Sequence, residues 1–400
     1  MIGTAPHPHG SGAVAFLERR RLPLVIAAFT MAFLGWTVVT GAHGHSYDDY
    51  RREWSEVLAG HDPWQVGPDG KFFGYGPLFM VLAPLVRLGA IGPKLLFASC
   101  YCLFVAWLSG SRQVWSMPAG PILAFCVLNP FPWVEVAHFG MFDVLPGIAC
   151  LVAVRARRAD RDGLAGMALA CGVLFKILPS VILPFLAIER TPSGLALRWR
   201  TIAGCFAVLA AGYVASVATW GWSTFAPFVF SGTRQSVYSA YDWLGSLDRS
   251  GLVAAHAGQL GIAVMAAVGA LVFGRSLVAS LDLGQSAFLA LLGTLLFYHV
   301  GYANYQMMLF PLAADWLAAN GRRLSRAGLV RFAFIGYFAS LAVIDTLFPV
   351  IRRLADPTTA YAALDGLYLA KFTLGCLLLV TLLASDRRGG GGSGQEGLRG

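Results

Sequence analysis

The chain has 400 residues, of which 57% are hydrophobic and only 13% are charged, and its formal net charge is +9. A mean hydropathy of +0.63, together with 27 Phe and 11 Trp, excludes a soluble globular domain. Apolar runs of about 17–25 residues recur along the sequence, as an integral membrane bundle requires. The basic residues fall in short clusters between these runs, which is typical of the positive-inside rule and not of a nucleic-acid surface.

Twelve apolar segments are predicted to be membrane spans. They cover residues 22–42, 91–109, 119–137, 143–155, 163–175, 178–188, 200–219, 257–274, 285–302, 304–318, 328–347 and 364–384. Several are shorter than a bilayer requires, which indicates half-helices or broken helices that line a cavity. We treat residues 77–88 as re-entrant or as the first part of the second span, because a full span there would place later arginine clusters on opposite sides.

The fold is therefore predicted to be all-α, a polytopic membrane helical bundle of about 12 spans. Residues 1–388 form one membrane domain, and residues 389–400 form a flexible glycine-rich tail. The seven cysteines lie in apolar segments without zinc-ligand spacing, and we interpret them as small core residues. The first apolar run follows three arginines and lacks a small-residue cleavage site, so we predict that it is a span and not a signal peptide.

The arginine clusters between the spans predict the orientation of the chain. They comprise Arg19, Arg20 and Arg21; Arg155, Arg157, Arg158 and Arg161; Arg190, Arg198 and Arg200; Arg322, Arg323 and Arg326; and Arg387 and Arg388. All of them fall on one side, which is predicted to be cytoplasmic together with both termini. Residues 43–77, 129–142, 220–256 and 348–363 are then extracytoplasmic. These segments hold most of the unusual polar and aromatic residues, so we expect the functional face to be outside.

A polar island follows the first span, in the first extracytoplasmic loop at residues 43–77. The helical spacing of Tyr50, Trp54 and Val57/Leu58 predicts a short amphipathic helix at the membrane interface, with its rings at headgroup depth. Gly60 fits the end of this helix, and Asp62-Pro63 and Tyr75-Gly76-Pro77 are predicted to be turns.

Asp48 and Asp49 lie at the predicted start of that helix, and two interpretations are open for them. They are N-terminal helix caps, which is a common stabilising role, or they are a catalytic carboxylate pair at the membrane face. Acidic residues are scarce in this chain, so an adjacent pair where a span surfaces favours chemistry on a substrate reached partly from lipid.

The order of these motifs resembles the first extracytoplasmic loop of the GT-C glycosyltransferases. A span is followed by acidic residues, Tyr50, an aromatic helix, Gly60-His-Asp-Pro-Trp64 and Tyr75-Gly-Pro-Leu78, and then by another span. The chain is most similar to the branch that uses polyprenyl-phosphate-mannose, in which Tyr-Pro-Pro often stands where this chain has Tyr75-Gly76-Pro77. The resemblance implies that Asp49 or Asp48 is the general base. We favour Asp49, because it directly precedes Tyr50.

The resemblance implies an inverting transfer of a sugar, with mannose expected, to a hydroxyl of a lipid or glycan acceptor on the extracytoplasmic face. A polyprenyl-phosphate donor carries an activated sugar, so the enzyme must deprotonate the acceptor and stabilise the departing phosphate. One carboxylate and a cationic or hydrogen-bonding group suffice for this, whereas a classical glycosidase uses a defined carboxylate pair. We therefore expect no metal ion and no cofactor, and a multi-pass location in the cell membrane.

A second group of polar residues lies at the predicted turn between residues 129 and 143. It contains Asn129-Pro-Phe-Pro-Trp133, Glu135 and His138-Phe-Gly-Met-Phe-Asp143, and it resembles a cavity-facing patch of the family. His138 and Asp143 are predicted to bind acceptor hydroxyls, and Glu135 to support the base. The alternative for all three is interhelical hydrogen bonding or helix capping.

Lys176 lies among apolar residues in Phe175-Lys176-Ile-Leu-Pro179, which resembles a Lys-x-x-Pro segment of the family. A lysine in such a place is costly unless it snorkels or meets an anion. The donor phosphate is a suitable anion, so we predict that Lys176 binds it. Snorkelling is the alternative.

Further candidates lie in the 220–250 loop and near residue 300. Arg234 and His299 are predicted to clamp phosphate, while Tyr75, Tyr305 and Gln306 are predicted substrate-binding residues. Interface anchoring is the alternative for most of the Tyr and Trp residues. A transporter or flippase for a lipid-linked or small polar solute is the alternative function, since it also uses broken helices. The clustering of carboxylates at one face and the lack of an evident inverted repeat favour the glycosyltransferase.

Overall fold

The computed structural model describes residues 11–42, 45–65, 74–110, 119–233, 235–279, 281–354 and 356–385. The first helices are α1 (Ser11–Val39), α2 (His45–Leu58), α3 (Pro77–Met80), α4 (Gly92–Gly110), α5 (Ala119–Leu123), α6 (Pro130–Pro132), α7 (Val144–Arg158), α8 (Asp162–Phe175) and α9 (Leu183–Ala187). The later helices are α10 (Trp199–Trp220), α11 (Ala226–Thr233), α12 (Ala240–Leu247), α13 (Leu252–Ala279), α14 (Leu283–Phe297), α15 (Phe310–Arg326), α16 (Gly328–Leu354) and α17 (Pro357–Ala384).

Short irregular helices separate several of these elements. The 3-10 helices are Ala83–Leu88, Leu178–Ile182, Gly221–Phe225 and Ala303–Met308, and the π-helical stretches are Ala124–Leu128 and Trp133–His138. Strands β1 (Ile188–Thr191) and β2 (Gly194–Leu197) pair as an antiparallel hairpin between α9 and α10. The predicted all-α membrane bundle is confirmed, and the hairpin is a small addition that the sequence pattern did not indicate.

Six helices in the described part of the chain are long and apolar enough to cross a membrane. They are Leu22–Val39, Gly92–Gly110, Trp199–Val229, Leu252–Ala279, Gly328–Ile351 and Thr359–Ala384. The other predicted spans correspond to shorter or interrupted helices. The predicted span at 119–137, for example, is divided into α5, α6 and two π-helical stretches, where Pro130 and Pro132 cannot donate backbone hydrogen bonds.

Residues 77–88 form two short helices and not a full span. The helix α3 is four residues long, and the 3-10 helix that follows ends at Gly89, whose φ is +115°. Pro77 and Pro84 stand in the first turn of each short helix, where the missing N–H is tolerated. That this segment is re-entrant, or is the first part of the second span, stays a prediction.

Ion pairs hold together one end of the bundle. Arg158 at the end of α7 contacts Asp315 on α15 at 2.9 Å. Arg157 contacts Glu189 on β1 at 2.8 Å, and Arg198 before α10 contacts the same carboxylate. The arginine clusters of α7 and of the hairpin therefore lie at the same end, as their predicted common side requires. That this end is cytoplasmic stays a prediction.

The helix α2 lies near the opposite end and differs from its prediction in one respect. Its aromatic rings are inside the protein and not at an interface: Tyr47, Tyr50 and Trp54 are at most 2% exposed. The reason is that residues 77–88 fold back under the helix. Trp54 stacks on the ring of Phe79, with centroids 4.8 Å apart, and its Nε1 donates to the Phe79 carbonyl at 3.0 Å.

The predicted end of α2 is confirmed. The helix stops at Leu58, and Gly60 adopts a φ of +83°, which favours glycine. Asp62 Oδ1 then accepts a hydrogen bond from the backbone N–H of Trp64 at 2.9 Å, so Asp62-Pro63 forms the predicted turn. Trp64 Nε1 donates to the Tyr75 carbonyl at 2.9 Å, and this bond connects the two turns of the first loop.

Candidate active site

The turn at Tyr75-Gly76-Pro77 brings the first loop against the end of α8. The N–H of Gly76 donates to the Phe175 carbonyl at 3.1 Å, and a Cβ at Gly76 would lie 2.3 Å from the Leu174 carbonyl oxygen. Proline has no N–H to donate and carries a Cβ, so it does not fit at this position. This crossing explains why the chain departs from Tyr-Pro-Pro here, and it places Tyr75 beside Lys176.

Lys176, at the end of α8, and Asp143, just before α7, form a buried ion pair. Lys176 Nζ donates to Asp143 Oδ1 at 2.7 Å, and the two side chains are 7% and 0% exposed. The other carboxylate oxygen of Asp143 accepts from Asn304 Nδ2 at 3.1 Å. Asp143 immediately precedes α7 but makes no side-chain capping bond. Its predicted alternative role as a cap is therefore wrong, and interhelical hydrogen bonding is what the structure shows.

Aromatic rings surround this ammonium group. Lys176 Nζ lies 3.2 Å from the centroid of the Tyr305 ring and 5.6 Å from that of Tyr75. Ring faces attract a cation electrostatically, so they offset part of the cost of its burial. We call Tyr75, Asp143, Lys176, Asn304 and Tyr305 the Lys176 centre. It unites four of the predicted site residues with Asn304.

A tyrosine pair connects α2 to the Lys176 centre. The hydroxyl groups of Tyr50 and Tyr75 are 3.2 Å apart, and Tyr50 also donates to the sulfur of Met141 at 3.4 Å. The rings of Tyr50 and Tyr75 meet edge to face, with centroids 5.4 Å apart. The acidic first turn of α2 is thus fixed relative to the buried ammonium group.

Asp48 and Asp49 lie on that first turn but point away from its buried aromatic face. The Asp48 side chain is 58% exposed and lies 3.6 Å from Arg51, whereas the Asp49 side chain is 34% exposed and lies 3.4 Å from Arg52. Burial raises the pKa of Glu53, one turn further along, although Arg52 opposes the shift. The acidic pair is therefore accessible to solvent, with Asp49 the more enclosed of the two.

A second buried polar group, which the sequence prediction identified only in part, lies next to the Lys176 centre. The carboxyl groups of Glu135 and of Asp345 on α16 lie beside each other, and the carboxylate of Asp143 is close enough to interact electrostatically with Glu135. Lys371 on α17 is 3% exposed, and its Nζ donates to the Gly301 carbonyl at 2.6 Å. We call Glu135, Asp345 and Lys371 the Glu135 group. The sequence did contain a feature that could have identified Asp345 and Lys371 as functional candidates: both are ionisable residues within long apolar helices.

The remaining predicted residues lie apart from the Lys176 centre or are engaged elsewhere. The His138 ring stacks on Trp36 with centroids 6.4 Å apart, and its carbonyl accepts from Lys94. His299 is fully buried and packs against Tyr298. Gln306 accepts a hydrogen bond from the Tyr337 hydroxyl. Arg234 lies outside the described residues.

A comparison with family models assigns the chain. The model of glycosyltransferase family 87 matches residues 72–300, more than half of the 400 residues. The chain belongs to glycosyltransferase family 87. This is a family of GT-C type membrane glycosyltransferases, so the protein is a multi-pass membrane glycosyltransferase and not a transporter. Comparisons with curated proteins and with solved structures found no match.

The matched range has a consequence for the site residues of this family 87 enzyme. It includes Tyr75, Glu135, Asp143 and Lys176, but it begins after α2 and ends before Asn304. The family match therefore does not include Asp48 and Asp49, and only their position in the structure supports a role for them. Among the residues that the structure describes, no three His, Cys, Asp or Glu side chains are grouped to hold a metal ion.

Proposed function

We propose that this family 87 enzyme transfers mannose from a polyprenyl-phosphate donor to a hydroxyl of a lipid or glycan acceptor, on the extracytoplasmic face of the cell membrane. The observation that carries the proposal is the Tyr50–Tyr75 contact, 3.2 Å between hydroxyl groups, which links the acidic turn of α2 to the buried Lys176. A carboxylate for the acceptor and a cation for the donor phosphate are the two groups that such a transfer needs.

Lys176 is proposed to bind the donor phosphate. The ammonium group of Lys176 is a compact cation, and its bond of 2.7 Å to Asp143 holds it in place. Asp143 and Asn304 hold the lysine in one orientation, so its charge is fixed before the donor arrives. The negative charge on phosphate increases as the bond to the sugar breaks, and a preorganised cation stabilises that charge without rearrangement. Tyr75 and Tyr305 are proposed to line the same place.

Asp49 is proposed to be the general base, with Asp48 as the alternative. The carboxylate takes the proton of the acceptor hydroxyl while the hydroxyl oxygen attacks the anomeric carbon. The bond between that carbon and the phosphate oxygen breaks, and the polyprenyl phosphate leaves with the bonding electrons. One displacement inverts the anomeric configuration. Asp49 is favoured because it is the more enclosed carboxylate and precedes Tyr50, which reaches the Lys176 centre.

The acceptor side of the site is proposed more broadly. Glu135 and His138 are candidates for contacts to acceptor hydroxyl groups, and His299 and Gln306 for further substrate contacts. Glu135 Oε2 and His138 Nδ1 are buried atoms without a hydrogen-bond partner in the described structure. Both atoms can accept a hydrogen bond from a sugar hydroxyl, depending on the tautomer of His138.

A transfer assay with the purified full-length enzyme in lipid nanodiscs tests the donor class. Radiolabelled polyprenyl-phosphate-mannose is offered together with a lipid extract as a source of acceptors. We expect labelled product from this donor, a weaker signal from polyprenyl-phosphate-glucose, and none from the nucleotide sugar GDP-mannose. Transfer from GDP-mannose alone would contradict a lipid-phosphate donor. Stronger transfer from polyprenyl-phosphate-glucose than from polyprenyl-phosphate-mannose would show that the sugar is glucose and not mannose.

Substitution of the two aspartates tests the base. A positioned general base contributes roughly 10²–10⁴-fold in rate, so Asp49→Asn should reduce transfer by that factor while donor binding persists. Asp48→Asn should have a smaller effect, because neighbouring helical positions point about 100° apart. Asp160→Asn is a matched control at the other end of the bundle, where the side chain is 80% exposed. Near-normal transfer in both single variants and in the double variant would refute a catalytic role for this pair.

A further inference from the structure

The C-terminal helices α16 and α17 contact the site at three polar points, although both lie outside the range matched by the family model. The carboxyl group of Asp345 on α16 lies beside that of Glu135, and the Tyr337 hydroxyl on the same helix donates to Gln306 Oε1. Lys371 on α17 donates to the Gly301 carbonyl. Each contact reaches a segment that also touches the Lys176 centre or continues into it. This convergence indicates that the two helices serve the site and not only the bundle.

Of these contacts, the one made by Lys371 most requires an explanation, because a lysine is buried there. Its side chain is 3% exposed, its Nζ donates to the Gly301 carbonyl at 2.6 Å, and the Tyr368 ring centroid lies 4.7 Å from Nζ. The carboxyl group of Asp345 also lies near this amine. An ammonium group inside a membrane protein is costly, and an apolar residue would fill the same space more cheaply. A role for its charge and its N–H groups is therefore expected.

The segment around Gly301, which Lys371 contacts, is also hydrogen-bonded on its other side. The N–H of Gly301 donates to the Val237 carbonyl at 2.8 Å, and Val237 in turn donates to the His299 carbonyl at 3.2 Å. A Cβ at residue 301 would lie 2.0 Å from the Tyr238 carbonyl oxygen. The chain at Gly301 is thus fixed between the 235–239 segment and Lys371.

Three residues later the same segment enters the Lys176 centre. Asn304 binds Asp143 at 3.1 Å, and the Tyr305 ring lies against Lys176 Nζ. We propose that Lys371 is a positioning residue of the transferase. By fixing Gly301 it sets the place of Asn304 and Tyr305, and these two orient Lys176 toward the donor phosphate. The proposal rests on the proposed function, because it assumes that Lys176 binds that phosphate.

Donor kinetics of Lys371 variants test this proposal. Lys371→Met keeps the length of the side chain and removes the donor, so the donor KM should rise about 10-fold, the usual scale for a lost hydrogen bond to a charged group, while kcat changes little. Lys371→Arg retains a cationic donor and should restore part of the affinity. Thr373→Val is a matched control on α17, because the Thr373 hydroxyl donates only within its own helix, to the Leu369 carbonyl. An unchanged donor KM in Lys371→Met overturns the proposal.

A double-variant measurement separates positioning from a general structural role. Donor dissociation constants are measured with radiolabelled polyprenyl-phosphate-mannose for Lys176→Met, Lys371→Met and the double variant. If Lys371 acts through Lys176, the double variant binds the donor no more weakly than Lys176→Met alone. If the dissociation constant of the double variant rises by the product of the two single-variant factors, Lys371 acts independently of Lys176, and the proposal is overturned.

Two further arms keep the outcomes distinct. If Lys371→Met does not fold, Asn304→Ala takes its place, because Asn304 is where the segment held by Lys371 binds Asp143. Asn304→Ala should then raise the donor KM, and an unchanged donor KM in this variant overturns the proposal. If Lys176→Met itself binds the donor normally, the proposed role of Lys176 fails, and the positioning role fails with it. If Lys176→Met loses the donor but Lys371→Met does not, only the positioning role fails.

Discussion

The buried pair of Asp143 and Lys176 predicts a specific pattern of stability changes. The pair joins two side chains that are at most 7% exposed, at 2.7 Å. Removing one partner of a buried pair leaves the other charge uncompensated and costs about 3–5 kcal/mol, whereas replacing both by apolar residues of similar volume is often neutral. Asp143→Leu and Lys176→Met should therefore each destabilise the protein by about that amount. The double variant should be more stable than either single variant.

The free energy of unfolding can be followed by SDS titration, with a thiol-reactive dye as the reporter. Cys102, Cys126 and Cys150 are buried free cysteines, so the dye reports their exposure on unfolding. The exposed pair of Arg51 and Asp48 is the matched control, and its coupling energy should be below about 1 kcal/mol. A double variant as unstable as the sum of its single variants would refute the idea that Asp143 and Lys176 act as a pair.

Two further predictions concern α2 and a residue packed against it. Gly140→Ala should lower the unfolding midpoint, because φ is +68° there and the new Cβ would lie 2.7 Å from Tyr47 Cδ2; the backbone strain alone costs about 1–3 kcal/mol. Gly163→Ala, where a Cβ meets nothing within 4 Å, should leave the midpoint unchanged. Burial raises the pKa of Glu53, so its stabilising contribution is fully present below its ordinary pKa of 4.5 and is lost as pH rises through the raised value. Glu53→Gln should remove that loss, and a variant that follows the wild-type midpoint between pH 4.5 and 7 would contradict the assignment.

The local features of the first loop were predictable because they depend on neighbouring residues. Helical spacing predicted α2, and Gly60 and Asp62 predicted its end and the following turn. The depth of Tyr50 and Trp54 was not predictable, because it depends on residues 77–88 folding back under the helix. A periodic apolar face shows that something is covered, and the tertiary fold decides whether protein or lipid covers it.

Several residues that the structure brings together were named from the sequence, but their partners were not. Lys176 and Asp143 were both expected near substrate, yet the bond between them joins segments 33 residues apart in the chain. Asp345 and Lys371 are single ionisable residues in apolar helices and belong to no motif, so a search by motif passes over them. Their contacts with Glu135 and Gly301 depend on how α16 and α17 pack against the site, which no local pattern encodes.

The distribution of carboxylates across the site supports Asp49 over Asp143 as the proposed base. Both oxygens of Asp143 are engaged, one by the Lys176 ammonium and one by the Asn304 amide, and its side chain is fully buried. A carboxylate whose two oxygens already accept hydrogen bonds in this way is poorly placed to take the proton of an acceptor hydroxyl. Asp49 lies 3.4 Å from Arg52 with a third of its side chain exposed. An exposed ion pair of this kind contributes little to stability, so protonation of Asp49 during each turnover costs the fold little, and solvent can take the proton away.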